Sequence, residues 1–171
     1  MNTTKALMAT VLVAALTATA PATATTVQRV MEDQGGPACQ LSVPTTSTQV
    51  RPRASGMRNE GTTSAFVICQ FTATSTPFTQ ANVVLASIDG ADHSLSCTAM
   101  SGYVTQTAYY STFNIFVHAG DTAGTSVGWN SGYFDPSLGT LPSRGFSVTC
   151  SLPPGMAIVG TYAFYDEDVG A

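Results

Sequence analysis

Apolar and hydroxyl-bearing residues alternate one for one along several stretches of this chain. The clearest stretch runs from Phe146 to Leu152, where Phe, Val, Cys and Leu alternate with Ser, Thr and Ser. A second stretch, from Leu95 to Ala99, places Cys97 on the apolar side in the same way. Because successive side chains of a β-strand point to opposite faces, this pattern predicts half-buried strands with serine and threonine facing outward.

The same pattern predicts short strands along the whole chain, and any helix should be a single turn. The predicted strands are Cys39 to Val43, Ser64 to Thr72, Ala81 to Ile88, His93 to Met100, Thr112 to Ala119, Gly145 to Leu152 and Met156 to Asp166. Asp89-Gly90-Ala91-Asp92 is interpreted as a hairpin turn, since Asp and Gly tolerate positive φ. Pro153-Pro154-Gly155 is interpreted as a similar turn between the last two strands.

Strands of this length and spacing are typical of an all-β fold, a two-sheet antiparallel sandwich of jelly-roll-like or immunoglobulin-like topology. An immunoglobulin-like domain places a Trp on a strand between two paired cysteines. Trp129 does lie between Cys97 and Cys150, but in a glycine-rich stretch within the long irregular segment Gly120 to Ser143. The jelly-roll-like topology is therefore preferred.

The first 24 residues have the organisation of a secretory signal peptide. Lys5 gives the positive start, and an apolar run from Ala6 to Leu16 follows it. Ala22-Thr23-Ala24 places small residues where signal peptidase cuts, so cleavage is expected after Ala24. The apolar run is too short to span a bilayer, which makes an uncleaved anchor helix the weaker alternative.

Two segments are expected after cleavage. Residues 25–38 are short, polar and without periodicity, which indicates a flexible N-terminal tail. Residues 39–171 have the length of a single domain with one core. No later stretch is apolar enough to cross a membrane, so no membrane insertion is expected after cleavage.

The four cysteines predict a disulfide framework, because an even number of cysteines in an exported chain is typical of one. No pair has the close spacing of a zinc or redox motif. Four cysteines allow three pairings. Since Cys97 and Cys150 both face the core side of predicted strands, they can meet between strands or between sheets. Cys39 would then pair with Cys69, so the preferred connectivity is Cys39–Cys69 with Cys97–Cys150.

Charge excludes one class of partner. The exported part would carry five arginines, no lysine and ten carboxylates, and charged residues make up only 9% of the chain. Nucleic-acid binding needs several basic contacts to phosphates, so it is not expected. No cofactor is expected either.

Aromatic residues give the candidate ligand-binding site, because rings on a β-sandwich can stack on sugars, with Asn130 and Asp135 as hydrogen-bond partners. The alternative is that these rings cover the end of the core. The predicted ligand-binding residues are Tyr109, Tyr110, Trp129 and Tyr133, with Tyr103 and Phe134 beside them.

Two polar clusters are candidate chemical sites. Asp166-Glu167-Asp168 could bind calcium, but a solvated tail after the last strand is the simpler interpretation. Turn chemistry explains Asp89 and Asp92 beside His93. In the predicted strand Thr112 to Ala119, alternation points Phe113, Ile115 and Val117 inward, so Asn114, Phe116 and His118 face the other side. No G-x-S-x-G or H-E-x-x-H motif accompanies His93 or His118, so neither a catalytic residue nor a metal ligand is predicted.

Three nearby arginines, Arg51, Arg53 and Arg58, form a local basic patch that could recognise an anion. The favoured interpretation is structural, with these arginines pairing with Glu60 and the acidic C-terminus.

Three segments carry a resemblance to a family. Gly56 to Cys69, Leu95 to Cys97 and Val148 to Gly155 resemble a group of uncharacterised secreted proteins of Gram-negative bacteria. In that group a "G-x-x-N" strand leads to "V-x-C", and a "C-x-[LP]-P" turn precedes a final Tyr-rich strand. The group has no established activity, so the resemblance implies a secreted β-sandwich and nothing about chemistry.

The sequence therefore predicts a secreted or periplasmic, non-enzymatic β-sandwich that binds a glycan or protein partner through loop aromatics. The alternatives are a structural or adhesin-like surface subunit with an exposed edge strand, and a jelly-roll hydrolase.

Overall fold

Two antiparallel sheets contain most of the residues that the structure describes. It is a computed structural model, which describes residues 24–43, 49–103, 107–134, 139–142 and 144–170. The strands in these ranges are β1 (Thr26–Gln34), β2 (Cys39–Leu41), β3 (Val50–Arg53), β4 (Gly56–Asn59), β5 (Ala65–Gln70), β6 (Phe78–Ser87), β7 (His93–Ser101), β8 (Tyr109–Val117), β9 (Thr125–Trp129), β10 (Phe146–Leu152) and β11 (Met156–Asp168). One helical turn, α1 (Gly35–Ala38), follows β1, and a 3-10 turn (Ser131–Tyr133) follows β9.

The sheets confirm the predicted two-sheet, all-β architecture. The six-stranded sheet has the order β3-β4-β11-β6-β9, with β1 also paired to β11. The five-stranded sheet has the order β2-β5-β10-β7-β8. Since β6 lies along one edge of β11, strands β4 and β1 share its other edge. There β4 pairs with Ala157 and Ile158, and β1 pairs with residues 160–168.

Most connections cross from one sheet to the other. Among the strands described, only β3–β4 and β7–β8 are sequential pairs within one sheet. The turn Asp89–Asp92 is therefore not a hairpin, because β6 and β7 belong to different sheets. Pro153–Gly155 likewise joins β10 to β11 across the sandwich. Turn residues indicate where the chain reverses direction but not which strands pair with each other. The hairpin prediction was wrong for this reason.

The core lies between the sheets and contains the inward side of each alternating strand. Val67 and Val148 face inward from the five-stranded sheet, and Val83 and Leu85 from the six-stranded sheet, all completely buried. At one end an aromatic cluster forms around Phe146, whose ring lies 5.1 Å from that of Phe71 and 6.4 Å from that of Phe78. Burying a side chain of this size stabilises the fold by about 1.5–3 kcal/mol.

Both predicted disulfides are confirmed, and both lie within the five-stranded sheet. Cys39 is directly opposite Cys69 in the β2–β5 ladder, and Cys150 is directly opposite Cys97 in the β10–β7 ladder. Each bridge therefore joins neighbouring strands rather than the two sheets. A pair of disulfides is typical of a protein from an oxidising compartment.

The N-terminal segment differs from the expected flexible tail. Thr26–Gln34 forms β1, and its burial is almost uniformly low. A strand exposed on both faces has no apolar alternation, so the periodicity that reveals the other strands is absent here. The predicted signal peptide falls on residues 1–24, of which 1–23 lie outside the described part of the chain.

Trp129 also differs from expectation, because it ends β9 instead of lying in a loop. The neighbouring Gly128 lies close to β6: a Cβ there would overlap the side-chain amides of Asn82 and Gln80, which would have to shift. The glycine that suggested a loop is thus a point of close approach within a sheet. Within the described residues, no helix is long and apolar enough to cross a membrane.

Candidate binding face

Trp129, the central member of the predicted aromatic site, is a core residue. Its side chain is completely buried, and its ring stacks on that of Phe113 with 5.1 Å between centroids and 17° between planes. The ring of Tyr133, which is 51% exposed, lies perpendicular to that of Phe113, with 5.0 Å between centroids. This trio covers the end of the core, as the alternative interpretation of the aromatics expected.

The two tyrosines of β8 lie on opposite faces of the five-stranded sheet. Tyr109 has the inward parity of Phe113, whereas Tyr110 faces outward and is 64% exposed. The Asn130 side chain accepts a hydrogen bond from the backbone N–H of Gly132 and so caps the 3-10 turn. Asp135 lies outside the described residues. The four predicted aromatics are therefore not brought together on one exposed surface.

The structure brings a different set of side chains together, on the outer face of the five-stranded sheet. Four neighbouring strands, β5, β10, β7 and β8, contribute outward positions to this surface, which we call the hydroxyl face. Its members are Phe66, Ile68, Ser94, Ser96, Thr98, Met100, Tyr110, Thr112, Asn114, Phe116, Ser147, Thr149 and Ser151.

Hydroxyls occupy the centre of the hydroxyl face because β10, β7 and β8 place Ser or Thr at outward positions. Thr149, Thr98 and Thr112 are directly opposite one another on three neighbouring strands. The hydroxyls of Thr98 and Thr112 are 2.8 Å apart and share a hydrogen bond. Each such hydroxyl can both donate and accept, so the row presents alternating hydrogen-bonding groups at the strand spacing of about 4.8 Å.

Aromatic rings surround this hydroxyl centre. Phe66, Tyr110 and Phe116 are 60%, 64% and 50% exposed, which is unusual for rings on a regular sheet. Next to Phe116, the side chains of Ser96 and Asn114 line a shallow depression of about 480 Å³. Phe66 and Phe116 lie three strands apart, roughly 14 Å at the usual strand spacing. The rings thus frame a surface longer than a single small molecule.

The hydroxyl face is also uncharged. Among the described residues, no Asp, Glu, Lys or Arg occupies an outward position on any strand of the five-stranded sheet. Its alternating hydroxyls were visible in the sequence, and so was the outward placement of Phe116 and Asn114. What sequence reasoning missed is that four adjacent strands would align these positions, because strand order is not encoded in alternation.

The arginine–glutamate pairs lie on or beside the opposite, six-stranded sheet. Arg53 donates from Nε and Nη2 to the two carboxylate oxygens of Glu60, at 2.9 and 2.5 Å, which confirms the predicted pairing with Glu60. The hydrogen bond from Arg53 lowers the pKa of Glu60. At the C-terminal end of β11, Glu167 accepts a hydrogen bond from Arg29 at 2.8 Å. Residues 166–168 are thus part of a paired strand, where a solvated tail was expected.

Both histidines contact aspartates of one surface turn. His93 Nε2 lies 2.8 Å from Asp89 Oδ1, and His118 Nδ1 lies 3.8 Å from Asp92 Oδ1. The hydrogen bond with His93, with that from the N–H of Ala91, lowers the pKa of Asp89 to about 2. These bonds hold the turn between β6 and β7. Within the described part of the chain, no three His, Cys, Asp or Glu residues are grouped to hold a metal ion.

Comparison of the chain with protein-family models, curated proteins and solved structures gives no match, so its function is argued from geometry and chemistry alone.

Proposed function

We propose that this chain is an exported, non-enzymatic β-sandwich that binds a neutral polysaccharide through the hydroxyl face. The observation that carries the proposal is an uncharged sheet face with hydroxyls at its centre and three exposed aromatic rings around them. The function class is the one predicted from sequence, whereas the proposed surface is a sheet face instead of the loop aromatics.

The chemistry of this face suits a sugar chain better than other partners. Ser and Thr hydroxyls and the Asn114 amide can exchange hydrogen bonds with ring hydroxyls in either direction. Exposed Phe and Tyr rings give flat apolar surfaces for the C–H faces of pyranose rings. An uncharged face offers no cationic group to a phosphate or a polyanion. The separation of Phe66 and Phe116 favours an extended oligosaccharide over a monosaccharide.

Export and topology belong to the same proposal. A signal peptide over residues 1–24 would deliver the chain to the periplasm or the exterior, and two buried disulfides support such a compartment. The resemblance to secreted Gram-negative proteins is consistent with this destination. A jelly-roll-like topology is supported over an immunoglobulin-like one because the immunoglobulin disulfide joins two sheets, whereas both bridges here lie in one.

A binding screen tests the proposal. The exported chain is screened against neutral polysaccharides and the affinity of any hit is measured for Phe66→Ala and Phe116→Ala. Each exposed ring should account for about a tenfold change in Kd, as truncated aromatic contacts commonly do. Tyr133→Ala is the matched control, since Tyr133 is equally exposed but lies at the loop site. Loss of binding in Tyr133→Ala alone, or binding to no neutral glycan, would contradict the proposal.

A further inference from the structure

Strand β1 is held to the rest of the molecule mainly by backbone pairing, whereas the other described strands also bury side chains in the core. Of its nine residues, seven are exposed and two half-buried. Its side chains add only Met31 to the margin of the core. The strand is therefore ordered by backbone pairing and a few surface contacts rather than by burial.

The pairing of β1 is long and regular. Every residue from Thr26 to Gln34 has an antiparallel partner in β11, between Asp168 and Gly160. Thr25 extends the ladder, with its N–H donating to Gly170 and its carbonyl accepting from Val169. Such a ladder fixes register and direction without needing a deep apolar pocket.

The segment that follows β1 is fixed to the rest of the domain independently of β1. Cys39, five residues after the end of β1, is bonded to Cys69. The link between β1 and Cys39 begins with Gly35 and Gly36. Their backbones lie so close to the carbonyls of Ile158 and Arg53 that neither residue could carry a Cβ without a shift. After this link, the remaining strands are held by the disulfides and the core.

Removal of β1 would open one edge of β11. The other edge is occupied by β6, and β4 reaches only Ala157 and Ile158 on the exposed side. Residues 160–168 would then present unpaired N–H and C=O groups in the register that β1 satisfies. A free edge of this kind takes up a matching strand.

We infer that β1 is an exchangeable strand, and that two copies of this chain associate when β1 of one copy pairs with β11 of the other. The exchanged pair has the same ladder and the same Arg29–Glu167 ion pair as the single chain, so little is lost in the exchange. The occupant of the β11 edge is thus a second copy of the chain. This association uses the six-stranded sheet and is independent of the hydroxyl face.

An engineered disulfide tests the exchange directly. Gln28 and Asp166 are exposed register partners, so Gln28→Cys with Asp166→Cys places two thiols opposite each other across the β1–β11 ladder. After incubation at rising protein concentration and then oxidation, exchanged strands give covalent dimers on a non-reducing gel. Strands paired within one chain give covalent monomers. Gln28→Cys alone measures random cross-linking.

The fraction of covalent dimer should rise with concentration and exceed the single-variant background severalfold. Covalent monomer alone at every concentration overturns the inference. A second measurement avoids substitutions: a labelled peptide with the sequence of β1 is incubated with the unmodified chain, beside a scrambled peptide. Binding of the native sequence only supports exchange, and equal or absent binding of both peptides opposes it.

Discussion

The Asn59 side chain donates a hydrogen bond from Nδ2 to the backbone carbonyl of Leu152, at 2.8 Å, and so joins the end of β4 to the end of β10. Because these strands belong to different sheets, one buried amide links the two halves of the sandwich. Asn59 also donates to the carbonyl of Thr63 and accepts from the N–H of Gly61. Its backbone carbonyl accepts from Gly155, in the turn between β10 and β11.

Replacement of this amide should therefore be costly. We expect Asn59→Ala to lower the free energy of unfolding by about 2–4 kcal/mol, since the carbonyls of Leu152 and Thr63 and the N–H of Gly61 lose their hydrogen-bond partner. Urea unfolding measures the change. Asn130→Ala is the control, because Asn130 caps an exposed turn and should cost about 1 kcal/mol or less. Equal losses for the two variants would show that Asn59 does not connect the sheets as described.

The disulfides should contribute unequally despite similar loop lengths. Sequence separations of 30 and 53 residues each correspond to about 4 kcal/mol in the chain-entropy description. Cys97 and Cys150 are completely buried at the sheet centre, whereas Cys39 lies on the edge strand β2. Replacing Cys97 and Cys150 by Ala should thus destabilise more than replacing Cys39 and Cys69, by urea unfolding. A larger loss for the edge pair would be inconsistent with this placement.

Trp129 is the only tryptophan, so its fluorescence reports its environment. A buried indole stacked on Phe113 should emit at short wavelength in the folded protein and shift to long wavelength on unfolding. Trp129→Ala should cost about 3–5 kcal/mol, because it removes a large buried ring. Native emission typical of a solvated indole, with a small stability change, would place Trp129 on the surface.

Stability should fall at acidic pH. The pKa of Asp89 is lowered in the folded state to about 2, and that of Glu60 is lowered as well. A carboxyl group with a lowered folded pKa adds stability above its unfolded pKa, near 4, and this stability is lost as pH falls toward 2. Thermal unfolding between pH 2 and 7 should show this decline, and Asp89→Asn should reduce its amplitude. A decline confined to pH above 5 would assign it to other groups.

Polysaccharide binding should be nearly independent of salt. The hydroxyl face has no charged group among its described residues, so there is no Coulombic attraction for ions to screen. Isothermal titration in low and high NaCl measures this. A severalfold loss of affinity in high salt would indicate that the arginines on the opposite sheet take part.

The parts of the fold that could be predicted from sequence are those in which alternation of apolar and polar residues indicates both the strand and the face that it buries. Cys150 lies in an unbroken alternation, so its strand, its inward direction and its bonding partner were all predictable. Strand β1 and Trp129 were not, for opposite reasons. Exposure on both sides removes alternation from β1, and the glycine beside Trp129 makes room for Asn82 in the neighbouring strand. Both are properties of long-range contacts.

The hydroxyl face, the proposed binding surface, was likewise only partly predictable from sequence. Alternation predicted that Asn114 and Phe116 face outward, and the burial of β8 agrees. That they lie across from Ser96 and Ser94 depends on the pairing of β7 with β8, which alternation does not encode. The extent of the hydroxyl face depends in addition on the position of β10 between β5 and β7. Aromatic residues clustered in sequence were a poorer guide than residues clustered by strand order, since Trp129 and Tyr110 point away from a common surface.

Mapping of backbone amide shifts is the most direct test of binding at the hydroxyl face. The labelled chain is titrated with a neutral oligosaccharide identified by the screen. We expect the shifts to concentrate on Ser96, Thr98 and Asn114, with the signals of Gly128 to Phe134 unchanged. Shifts confined to Gly128 to Phe134, or spread evenly over both sheets, would contradict binding at the hydroxyl face.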